Sequence, residues 1–150
     1  MLEQGIAVSL GADGAACNNR LDMFTEMRSM ALLQKALHGP VALPAKQTLR
    51  MATYGGAKTL GLEKQIGSLE IGKRADVIVV DLDSLHSTPH ARDLVSALVY
   101  SAQTADVQTV IIDGEILMRG RKLITLDEKA IFSEASREST QLIRRAGIEG

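Results

Sequence analysis

Between residues 62 and 68 the spacing of apolar side chains changes. Upstream they recur every three to four residues; downstream they fall in short β-branched runs such as VIVV at 77–80. A helix repeats every 3.6 residues and a strand every two, so the two stretches cannot be one kind of element. The chain is therefore expected to be mixed, α/β (α+β) in class. Its expected order is strand, helix, helix, then strands, then a terminal helix. There is no internal repeat.

GIAVSL at 5–10 reads as a short buried strand, apolar on both faces as in a parallel sheet covered by helices. GADGAACNNR forms the loop after it, with Asn18, Asn19 and Asp22 as candidate N-caps. A helix is predicted over 21–37, with Leu21, Phe24, Met27, Ala31 and Leu37 near one face and Gly39–Pro40 ending it. Pro44 suits the first turn of a second helix, striped by Leu49, Ala52, Ala57 and Leu60 and stopped by Gly61. Gly55 and Gly56 inside it each cost about 1 kcal/mol relative to Ala, so close packing against a neighbouring backbone is expected there. A strand is predicted over 77–82 and a polar loop over 84–93. LVSALVYSA at 94–102 fits either strand or helix. VQTVII and EILM flank Asp113–Gly114, a two-residue hairpin turn. The last helix is expected to start from a capping box of Thr125 and Glu128. Ile131, Ala135 and Leu142 form its stripe, and Arg144 and Arg145 complement its end.

At 150 residues, 45% of them hydrophobic, the chain can bury a core. A net charge of −1 argues against a nucleic-acid-binding face, and 3% aromatics without Trp argue against a base-stacking platform. No apolar run approaches the roughly 20 residues that span a bilayer, so no membrane partner is expected. One cysteine, Cys17, excludes an internal disulfide framework. With an N-terminus unlike a signal peptide, it points to the cytoplasm.

Asp13 is the one residue with a catalytic look: a carboxylate on a glycine-rich turn at the end of an apolar strand. His86 and His90 sit four apart, but Pro89 between them argues for a solvated loop rather than a metal pair. His38 precedes the Gly-Pro stop, where a cation suits a helix end. Cys17 has no neighbouring His or Asn to activate it. Lys73 and Arg74 do not match a phosphate-binding loop, since Arg rather than Ser or Thr follows the Lys, and read as turn residues. The methionines of MFTEMRSM have helical spacing and no histidine partner, so they read as core.

Two motifs carry a resemblance. GIAVSLGADGAACNNRLDMFTEMR resembles the last barrel strand and following helix of metal-dependent amidohydrolases, in the branch of cytosine, guanine and adenosine-type deaminases and triazine chlorohydrolases. MATYGGAKTLGLEKQIGSLEIGKRADVIVVDLD resembles the exit from that barrel into the family's small β-sandwich, and VQTVIIDGEILMRGRKL its later strands. The resemblance implies that Asp13 ends the eighth barrel strand, ligates zinc or iron and takes a proton from the metal-bound water. It further implies that residues 1–65 are the end of the (β/α)8 barrel, 66–126 part of the β-sandwich lobe and 127–150 a C-terminal helix. The family's remaining ligands are a His-x-His pair and two single histidines on earlier strands. This sequence has no His-x-His.

The expected function is thus the C-terminal portion of a hydrolase of C–N or C–Cl bonds in heterocycles or cyclic amides, inactive and metal-free by itself. A subunit of a split hydrolase completed by another chain, or a binding or assembly module without chemistry, are the alternatives. An unpaired apolar strand at 5–10 is expected to drive a homodimer or higher oligomer through residues 5–37.

Overall fold

The computed structural model of the chain describes residues 4–89 and 93–147. Helix α1, Met23–His38, starts where Asp22 accepts hydrogen bonds from Phe24 N at 2.9 Å and Thr25 N at 3.4 Å. That satisfies two of the N–H groups a helix start leaves free. Lys35 and His38 occupy its last turn, and Gly39, at φ +95°, ends it with its N–H on Lys35 O at 2.9 Å.

The second helical stretch is three pieces in one run: α2 (Ala45–Arg50), a π turn (Met51–Gly55) and α3 (Gly56–Thr59). Pro44 stands at its N-cap and Gly61, at φ +71°, lies just past its end. The ambiguous stretch at 94–102 is helix α4, Leu94–Tyr100, capped by Asp93. It packs on α1 and α2, and their shared core joins Met27, Ala31, Ala45 and Val99. Leu10, Phe24, Leu49, Ala52, Val95 and Tyr100 pack around it.

The sheet is antiparallel, in the order β1 (Val77–Val80), β2 (Val107–Ile112), β3 (Glu115–Arg119) and β4 (Lys122–Leu123). Asp113 at φ +51° and Gly114 at φ +85° form the turn between β2 and β3, which fits a type I′ hairpin. Helix α5, Glu128–Arg145, closes the chain.

Three expectations are corrected. Residues 6–10 form no strand, and Ile6, Ala7 and Val8 lie beside α2 and the π turn. A strand is defined by its hydrogen-bonded neighbour, and among the described residues the sheet lies wholly within 77–123. The cap of α5 is Asp127, which accepts from Lys129 N and Ala130 N, and not Thr125. The apolar stripes are only partly covered. Met27 and Ala31 are buried, whereas Leu21 just before α1, Leu37 within it, Leu60 beyond α3, and Ile131 and Leu142 of α5 are exposed.

Candidate functional site

Asp13 lies in the loop between residues 6–10 and α1. Its φ is +57°, a conformation Asp tolerates better than most residues. The turn after it is closed by Cys17 N and Asn18 N, both donating to Gly14 O, at 3.0 and 2.9 Å. Asn18 then donates from Nδ2 to Glu26 Oε1 at 2.7 Å and so ties the loop to the first turn of α1. The cap itself is Asp22. Burial pushes the Asp22 carboxyl up. Hydrogen bonds from the Thr104 and Thr25 hydroxyls and the Thr25 and Phe24 N–H groups outweigh that and hold it below the usual carboxylate range.

Upstream, the segment is held at two points. Leu10 packs against the helical core, and the Val8 carbonyl faces Gly55 of the π turn. Ile6, Ala7 and Val8 line a shallow cavity of about 170 Å³ with Gln47, Arg50, Met51, Tyr54, Gly55 and Lys58. The expected close approach at the glycine pair is found at Gly55, while a side chain at Gly56 would meet open space. Lys73 is a turn residue as expected, with its ammonium donating to Ser68 Oγ at 2.5 Å and Glu70 at 3.0 Å. Cys17 is exposed.

His86 is more than a solvated loop residue. Its Nε2 lies 2.8 Å from Oδ2 of the buried Asp106 and 3.2 Å from Ser84 Oγ. A Ser-His-Asp relay uses the two ring nitrogens separately. Here both contacts fall on one nitrogen, so the group is a clasp between the 84–88 loop and the start of β2. Asp106 also accepts from Gln103 N at 2.8 Å, and Arg121 donates to the carbonyls of Thr104, Ala105 and Val107 around it. Burial pushes the Asp106 carboxyl up, but the hydrogen bonds from His86 and Gln103, and the nearby charges of His86 and Arg121, hold it low. Nothing in the sequence pairs residues 20 positions apart in this way. His90 lies outside the described residues.

Among the described residues, no three His, Cys, Asp or Glu side chains gather as metal ligands would. Asp13 and the His86–Asp106 clasp are separate features.

The amidohydrolase family matches residues 1–117. The 5-methylthioadenosine/S-adenosylhomocysteine deaminase of Desulforudis audaxviator is 51% identical over 144 residues, 95% of this chain and 33% of that protein. An adenosine deaminase from Xanthomonas campestris, with bound zinc, superposes with a TM-score of 0.89 at 41% identity, over 96% of this chain and 33% of that one. The zinc-bound atrazine chlorohydrolase of Arthrobacter aurescens superposes at 0.83 with 27% identity, over 91% and 30%. The chain spans about a third of the length of the curated relatives it matches. Asp13 offers one donor where zinc takes three or four protein ligands, so the described residues do not by themselves fit the ion. The mixed helix-and-sheet architecture and the match across most of the chain agree: the chain belongs to the amidohydrolase family.

Proposed function

We propose that this chain forms the C-terminal part of a metal-dependent deaminase that removes the purine amino group of adenosine-type nucleosides by hydrolysis. In this reading residues 1–65 end the barrel, 66–126 belong to the β-sandwich lobe and 127–150 form the terminal helix. Asp13 serves as one metal ligand and as the proton-accepting carboxylate. The histidine ligands come from residues outside this sequence, on a preceding segment or a second polypeptide.

The observation that carries the reading is the contrast in identity over nearly the whole chain: 51% and 41% to adenosine-type deaminases, but 27% to the chlorohydrolase. C–N rather than C–Cl cleavage is the better supported chemistry. Side groups at the 5′ carbon, as in methylthioadenosine, are part of the proposed substrate class.

Co-expression with the preceding two thirds of a related deaminase tests this. The assembled enzyme is expected to deaminate 5′-methylthioadenosine and adenosine, and Asp13→Asn to cut turnover by about a hundredfold or more. The chain purified alone is expected to show no turnover, because one carboxylate cannot hold and activate a metal-bound water. Stoichiometric zinc or iron in the chain alone, with turnover that Asp13→Asn abolishes, would overturn the reading.

A further inference from the structure

The π turn at Met51–Gly55 interrupts an otherwise α-helical run from Ala45 to Thr59. Such turns widen the backbone by one residue and often occur at functional sites. Here the widened turn ends on Gly55. A Cβ built at Gly55 would stand 3.1 Å from the Val8 carbonyl oxygen and 3.0 Å from that of Arg50. Both are backbone atoms, so neither can swing away as a side-chain tip would. The next residue, Gly56, opens α3 in the same helical run, yet a Cβ there meets nothing within 4 Å. Of the two adjacent glycines, only Gly55 faces the segment that leads to Asp13.

That segment has no sheet partner among the described residues to fix it. Its path is set by Leu10 in the helical core and by the seat of Val8 against the π turn. Asp13 follows three residues after Leu10, and the Gly14 turn fixes the far side. We propose that Gly55 is a positioning residue for Asp13: the π turn and the missing side chain together set how deeply residues 8–10 settle, and hence where the Asp13 carboxylate is presented. The role assigned to Asp13 rests on the deaminase reading; the seating itself does not.

The test uses isotope-labelled parent chain, Gly55→Ala and Gly56→Ala, each checked by circular dichroism. The substitutions raise helix propensity equally, so they separate propensity from contact. In Gly55→Ala, the Asp13 carboxyl carbon resonance and the backbone resonances of Val8 to Leu10 are expected to shift. Gly56→Ala is expected to leave both as in the parent. Equal responses in the two variants, or none in Gly55→Ala, would overturn the proposal. Should Gly55→Ala not fold, the parent decides. A nuclear Overhauser contact between the Gly55 α-protons and the backbone protons of Val8 or Ser9 is expected, and its absence overturns the seating. In the co-expressed enzyme, an Asp13→Asn variant with full turnover would end the deaminase role of Asp13 while leaving the seating result standing.

Discussion

Asp106 shows how much one buried carboxylate can organise. It accepts from His86 and from Gln103 N, and its own carbonyl accepts from Asp81 N at 2.8 Å, so three separate stretches meet on one residue. Its folded-state carboxyl titrates below the ordinary value of 3.8. The stabilisation is therefore fully present above that value and is lost as pH falls through the lower folded value. Asp106→Asn keeps the shape but removes the charge, and should cost about 1.5–3 kcal/mol at neutral pH. Thermal unfolding followed from pH 7 down to pH 2 should show the variant's deficit shrinking at the acid end. A deficit independent of pH would mean that the charge contributes nothing. Asp13 is the contrasting case. Its type and its place among glycines were legible in the sequence, because an Asp between Gly11 and Gly14 after an apolar run is a local pattern. The Asp106–His86 clasp was not, because neither residue carries a local sign of the other.

Among the elements, α5 depends most on its own sequence. Residues 128–145 bury none of their side chains among the described residues. Its support is local: the Asp127 cap, the pairing of Arg137 with Glu134 and Glu138, and Arg144 and Arg145 at its end. Asp127→Ala should therefore remove about 1 kcal/mol of helix stability and visibly lower the helical circular dichroism signal. The same substitution in a packed helix would hardly change that signal. Thr125→Ala should leave it unchanged, since Thr125 does not cap. The capping-box pattern points two residues early because Thr-x-x-Glu and Asp127 compete for one helix start, and only backbone geometry decides between them. Helix α4 was ambiguous for a related reason. A seven-residue apolar run has no clear period, and its state follows from packing on α1 and α2.

For the molecule as a whole, uncovered apolar surface is the dominant fact. Ile6, Leu21, Leu32, Leu33 and Leu37, all within residues 5–37, are about half exposed or more. So much apolar surface in one stretch is uncommon on a stable monomer and marks a contact surface. A homodimer or larger oligomer through residues 5–37 is the expected state of the chain by itself. Light scattering at micromolar concentration should give at least twice the 16.1 kDa chain mass. A clean monomer would show that this surface is covered in some other way.

The sequence by itself determined what depends on neighbours along the chain. That includes the switch from helical to strand period, the stop of α1 at Gly39, the Asp113–Gly114 hairpin, and the motifs that resemble amidohydrolases. These follow from backbone sterics and hydrogen bonds within a few residues. Tertiary structure alone decided what depends on distant partners. GIAVSL has strand composition, yet it runs unpaired against a π turn, because a β-ladder needs a second strand and the described chain supplies none there. His86 meets Asp106, and Gly55 meets the Val8 carbonyl, only because the fold brings together stretches that are 20 and 47 residues apart.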